Sequence, residues 1–300
     1  EISGKSTYTV EMVTTWLYSL TLVSIASAFA AEHSDRNLVS PIIGGKVVNA
    51  SRQPYGALVA ASLEDGYSFF CGGSLVAPDM ILTSASCLNA PNETILGHQA
   101  YVNISNVVKF TGYEHTQKVI KLIPNPRFDS ITYSGDLALV LLEQAVTDVP
   151  TLKINRQAKI PKDRQSLSTY GLGIMSFPEP NDVVMEDIIS VVPHKDCNDR
   201  TSYNGRIVKK AMICASDPKN RKKNCFGDMG SPLILLGTNP KRDIQVGILS
   251  FRNGCPNPDF PTVYTRVSQY SKWIQDTICK HSATKPSSCI SKKPSANPNI

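Results

Sequence analysis

Hydrophobic positions along this chain fall in short runs, broken by polar turn residues and by 18 glycines and 20 prolines. Runs of that length, bounded by turn residues, predict many short strands and few long helices. One apolar stretch differs in kind. Trp16-Leu17-Tyr18-Ser19-Leu20-Thr21-Leu22-Val23-Ser24-Ile25-Ala26 follows the first methionine, Met12, and leads into Ala28-Phe29-Ala30. It reads as a signal peptide ending at Ala30, with residues 1–11 translated from upstream of the start. The run is too short and too interrupted to span a bilayer comfortably.

The 300 residues are 41% hydrophobic, enough for one large domain or two small ones packed together. Only 19% are charged and no long low-complexity tract occurs, so a folded globular chain is expected. All eight cysteines lie beyond the apolar stretch: Cys71, Cys87, Cys197, Cys214, Cys225, Cys255, Cys279 and Cys289. An even set behind a signal peptide predicts disulfides and a secreted, extracellular protein. Zinc would need closely spaced Cys or His pairs, and none occur. No nucleotide loop, metal cluster or calcium loop is found, so no cofactor is expected. Sequons at Asn49, Asn92 and Asn103 are candidate glycosylation sites and fit secretion.

From Ile42 onward, six segments occur in a telling order. They are Ile42-Ile43-Gly44-Gly45, Cys71-Gly72-Gly73-Ser74-Leu75, Gly135-Asp136-Leu137-Ala138-Leu139, Gly227-Asp228-Met229-Gly230-Ser231-Pro232, Pro261-Thr262-Val263-Tyr264-Thr265-Arg266-Val267, and Tyr270 with Trp273-Ile274. Together they resemble the trypsin-like serine proteases over roughly residues 42–278. The resemblance implies an all-β fold of two six-stranded antiparallel barrels with a C-terminal α-helix and a site in the cleft between barrels. On that reading a pro-segment occupies 31–41, the N-terminal barrel about 42–155, the C-terminal barrel about 156–278, and a basic tail 279–300. It also implies the pairings Cys71–Cys87, Cys197–Cys214 and Cys225–Cys255. Cys279 and Cys289 are left to close a loop in the tail, with intermolecular pairing as the alternative. A further cystine of the family is missing, with Leu167 and Leu235 at its two positions.

Peptide hydrolysis by this fold needs a serine nucleophile, a histidine base and an aspartate that orients the histidine. The segment resembling Thr-Ala-Ala-His-Cys reads Thr83-Ser84-Ala85-Ser86-Cys87, which puts Ser86 in the histidine position. The nucleophile position holds Met229, a thioether with no proton to give and little nucleophilicity towards amides. Ser231 is no substitute, because the sharp nucleophile turn presents a single side chain to the cleft. Asp136 alone remains of the triad, and we expect it to be hydrogen-bonded to surrounding backbone. The specificity-pocket positions carried over by resemblance are Lys223, Ser250, Arg252 and Thr262. A cation at the base and side chains where the family has glycine predict a closed pocket. Asp228 is retained for pairing with an amino terminus freed before Ile42. Pro41 stands where a trypsin-activated zymogen has Arg or Lys, so either a different protease cleaves there or the pro-segment stays on.

These losses predict a non-enzyme that works by binding. Short pro-segment, double triad loss and filled pocket together resemble the inactivated serine protease paralogues of the scabies mite. That resemblance implies interference with host defence, and host complement components as partners. The formal charge is +6, concentrated at Lys219, Arg221, Lys222 and Lys223 with Arg206, Lys209 and Lys210 nearby, and in the tail at Lys280, Lys285, Lys292 and Lys293. Such patches suit solvated loops or, more sharply, anionic glycans, as in basic binders of the azurocidin kind. The absence of any nucleic-acid motif argues against that partner.

Overall fold

The computed structural model describes residues 46–49, 51–63, 68–88, 95–104, 115–171, 184–217, 228–254, 257 and 259–289. The signal-peptide and pro-segment readings, Ile42, Asn92, Lys219, Arg221, Lys222, Lys223, Cys225, Cys255, Lys292 and Lys293 lie outside them.

After the short strand β1 (Lys46–Val47), six strands close the first barrel. They are β2 (Gly56–Leu63), β3 (Ser68–Ala77), β4 (Met80–Thr83), β5 (Ile95–Val102), β6 (His115–Pro124) and β7 (Ala138–Leu142), in spatial order β2-β3-β4-β7-β6-β5. The all-apolar run into β7 is explained by its two buried faces. Ala138, Val140 and Leu142 point into the barrel core, while Leu137, Leu139 and Leu141 join a second cluster with Met80, Leu82 and the C-terminal helix. The strand period of two therefore sorts one hydrophobic run between two cores.

The second barrel follows β8 (Lys153–Ile154). It contains β9 (Ser166–Gly171), β10 (Met185–Val192), β11 (Met212–Ser216), β12 (Pro232–Leu235), β13 (Ile244–Phe251) and β14 (Thr262–Arg266). The order is β9-β10-β11-β14-β13-β12, and β12 returns to β9 through Leu233 opposite Thr169. Every pairing within this ring is antiparallel. Thus the expected pair of six-stranded barrels is present. Two short strands are appended: β8 runs parallel to β13, and β1 pairs with β10. The β1 pairing places Lys46 and Val47 on the second barrel, although the sequence assigns them to the first.

Among the described residues the α-helices are α1 (Ala85–Leu88), α2 (His194–Cys197) and α3 (Val267–His281). Val267, Ile274 and Ile278 bury the inner stripe of α3 against β4 and β7. The helix continues past 278, and its last turn carries Cys279, which is bonded to Cys289 with Cα atoms 5.2 Å apart. The chain between them folds back on the first barrel. Ser282 Oγ and Ala283 N donate to the two carboxylate oxygens of Asp79 at 2.6 and 2.7 Å. Cys71–Cys87 ties β3 to α1 and Cys197–Cys214 ties α2 to β11. Leu167 and Leu235 meet in one apolar cluster of the second barrel, where the sequence reading put a replaced cystine.

Candidate functional site

The degenerate triad positions arrive from three elements. Ser86 sits in α1, just after β4, Asp136 in the turn that leads into β7, and Met229 in the turn before β12. Asp136 is completely buried. Its Oδ1 accepts the Ser86 amide at 2.8 Å, and its Oδ2 accepts the hydroxyls of Ser86 at 2.8 Å and Ser250 at 2.5 Å. Its own main-chain oxygen accepts Thr265 Oγ1 at 2.8 Å. Burial pushes the Asp136 carboxyl above its ordinary value, and the hydrogen bonds from Ser250 and Ser86 oppose that rise. The expected backbone partners are present in the amides of Ser86 and Ala85, and the hydroxyls of Ser86 and Ser250 join them. Neither hydroxyl is basic enough to take up a proton near neutral pH. Among the described residues, the side chains that donate to the Asp136 carboxyl are the hydroxyls of Ser86 and Ser250.

Met229 stands on a tightly hydrogen-bonded turn. Ser231 N donates to Asp228 O at 2.9 Å, Gly72 N to Met229 O at 2.9 Å and Gly230 N to Leu249 O at 2.8 Å. Gly230 has φ +91, and a Cβ there would lie 2.3 Å from the Gly72 carbonyl oxygen. Only glycine fits that conformation and that approach. The turn leaves Met229 41% exposed while Ser231 is fully buried, its Oγ receiving the Asp228 amide at 3.1 Å. The single outward side chain is the methionine.

Among the pocket positions, Ser250 and Thr262 are buried and Arg252 is half-buried. Burial draws the Arg252 guanidinium below its ordinary pKa, and the charge of Asp228 and the phenols of Tyr264 and Tyr203 work against that. Asp228 thus lies within electrostatic reach of a cation in its own barrel. The Tyr133 ring from the first barrel packs 5.1 Å from Phe251, and Tyr203 packs edge-on to Phe251 at 5.8 Å. The sequence reading missed Tyr133 and Tyr203. Nothing in local spacing marks them, because the fold brings them together from separate turns.

Of the described sequons, Asn49 is exposed, with its Oδ1 accepting the Ser51 amide and hydroxyl at 3.0 and 2.7 Å. Asn103 is half-buried at φ +58. No helix among the described residues is long and apolar enough to cross a membrane.

Two six-stranded antiparallel barrels and a C-terminal helix define the trypsin-like fold. Residues 42–274 match the family model for trypsin, and the chain belongs to that family. It is 31% identical over 271 residues to serine protease 1 of Rattus norvegicus, covering 87% of this chain and 98% of that protein. It is 30% identical over 269 residues to anionic trypsin of Bos taurus, covering 89% and 99%. Against transmembrane protease serine 5 of Homo sapiens it is 29% identical over 262 residues, or 84% of this chain and 55% of that protein. The chain thus spans about half the length of the last relative and almost all of the other two.

Proposed function

We propose that this chain is a secreted trypsin-family protein without peptidase activity, which acts by binding host proteins and antagonises complement. The observation that carries the first part is the state of Asp136. Both of its oxygens are filled by Ser86 and Ser250, with a hydroxyl in place of an imidazole. Met229 takes the one exposed place on the nucleophile turn. Without a base, a serine there would stay protonated; without a serine, a base would have nothing to activate. In a well-measured serine protease series, removing either group alone costs about a million-fold in kcat. The residues at the carried-over pocket positions support the same reading. Arg252 stands in the position carried over as the pocket entrance, and Phe251 is flanked by rings from both barrels.

The reading predicts no covalent labelling by a fluorophosphonate probe and no turnover of a mixed peptide library. The double variant Ser86→His, Met229→Ser also fails to give useful turnover, because Arg252 and Thr262 still obstruct an inserting side chain. Robust turnover by that variant would remove the pocket argument, and labelling of the native chain would overturn the proposal. Retention of the two-barrel fold beside the changed residues at positions 86 and 229 supports a role for the surface. Affinity capture from human serum tests the partner. Recovery of complement recognition or regulatory proteins supports the antagonist reading. Recovery of salt-sensitive polyanion binders alone moves the function to the glycan-binding alternative, which the +6 charge favours.

A further inference from the structure

A cavity of about 40 Å3 lies where β10, the turn before β11 and the start of α3 converge, away from the cleft residues 86, 136 and 229. One buried water needs roughly 10–15 Å3, so the space accepts a group of several heavy atoms. Arg266, Lys209, His194, Ile207, Cys214 and Asp163 are among its walls. Apart from Asp163 the charged walls are cationic, and Asp163 and Lys209 are both exposed.

Arg266 is the informative residue. It is half-buried at the N-cap of α3, where no side chain caps the helix. Its Nη2 donates to the Met212 carbonyl at a long 3.4 Å, and its Nε is buried with no hydrogen-bond partner. Burial draws its pKa down, and the more distant charge of Asp163 opposes that. Among the described residues no carboxylate forms an ion pair with it. A guanidinium taken partly out of water without an ion-paired carboxylate is costly to leave so, and an oxyanion in the cavity that Arg266 lines supplies the missing charge. The positive end of the α3 helix adds to the local field. The His194 ring lies with its Nε2 3.0 Å from the Ile207 carbonyl oxygen. Arg206 and Lys210 are exposed on the same turn as Lys209, extending the cationic rim outward.

We propose that this cavity is a subsite for a sulfate ester carried on a glycan chain, gripped by Arg266 and Lys209, with Arg206 and Lys210 meeting the chain as it leaves. The subsite does not depend on whether the chain cleaves peptides.

The test measures binding of a heparin-derived hexasaccharide, its desulfated counterpart, and sodium sulfate against chloride at equal ionic strength. The native chain binds the sulfated hexasaccharide and not the desulfated one. Sulfate raises its thermal midpoint over that in chloride by more than it raises that of Arg266→Gln, which removes the general salting effect. Arg266→Gln and Lys209→Ala each weaken the hexasaccharide by about tenfold, while Lys285→Ala in the tail changes it by less than about twofold. Lys209 is exposed, so a loss there is not a loss of fold. Equal weakening by Lys285→Ala places binding on diffuse surface charge and overturns the subsite. So does undiminished binding by Arg266→Gln and Lys209→Ala. A response to free sulfate with no hexasaccharide binding overturns the glycan.

Discussion

At Asp136 two opposed effects meet, desolvation of a carboxylate and the hydrogen bonds from Ser250, Ser86 and the Ala85 amide that favour its charged form, and desolvation wins. Because the folded-state pKa is raised above the ordinary 3.8, folding favours the protonated acid. The stability this group contributes is complete below that ordinary value and is lost as pH rises through the higher folded value. Asp136→Asn keeps an acceptor for the Ser86 amide and never ionises. Its melting temperature should therefore gain on the native chain between pH 3 and pH 7, with the gain opening at about pH 4. A tenfold change in the ionisation equilibrium is about 1.4 kcal/mol, or about 2–4 °C in a domain of this size. A constant offset between the two proteins at all pH values would show that the carboxyl is not held against its charge. In an active site an imidazolium would share this burden; here hydroxyls carry it.

Among the elements, the turn from Asp228 to Ser231 depends on close backbone approach more than any other. A Cβ at Gly230 would meet Thr83 Oγ1 at 2.2 Å and the Gly72 carbonyl at 2.3 Å, on a residue already at φ +91. Thr83 Oγ1 itself donates to that carbonyl at 2.7 Å, so neither neighbour can retreat freely. Gly205 separates the two costs, since it has φ +86 and nothing within 4 Å of its would-be Cβ. Gly205→Ala should cost about 1–2 kcal/mol from conformation alone, and Gly230→Ala about 3–5 kcal/mol. Urea denaturation of both variants measures the difference. Equal losses would mean that the turn relaxes away from Gly72. The same crowding explains why Met229, between these fixed points, has one direction to face.

At the scale of the whole molecule the barrels are clamped by a buried carboxylate. Asp243, just before β13, takes both guanidinium nitrogens of Arg52, the Tyr55 hydroxyl at 2.6 Å and the Gly237 amide at 2.7 Å. Arg52 and Tyr55 precede β2 of the first barrel, so four donors from both halves meet on one side chain. The carboxylate holds the Arg52 guanidinium above its ordinary pKa. Asp243→Ala strands a half-buried cation and a buried phenol, at a cost of about 3 kcal/mol, whereas Tyr55→Phe should cost about 1 kcal/mol. Both variants should still unfold in a single transition, since Ser74 and Gln245 also join the barrels at 2.7 Å. Two resolved transitions for Asp243→Ala would show that this carboxylate alone couples them.

What the sequence determined by itself is the architecture: the short apolar runs, the ordered motifs and the cysteines led to two barrels, a terminal helix and the described disulfides. It also determined which chemistry the site positions carry, since Ser86 and Met229 are identities and need no coordinates. Tertiary structure alone decided the partners. Ser250 reaches Asp136 across 114 positions, a separation no local pattern encodes. Tyr133 meets Phe251 only because the barrels face each other, and the unpaired Nε of Arg266 exists only where β14, β11 and α3 meet. Lys46 and Val47 joined the second barrel because backbone pairing follows an open strand edge rather than proximity in the chain. Periodicity and residue identity are written locally, whereas register and barrel closure, which set these long-range contacts, are properties of the folded chain.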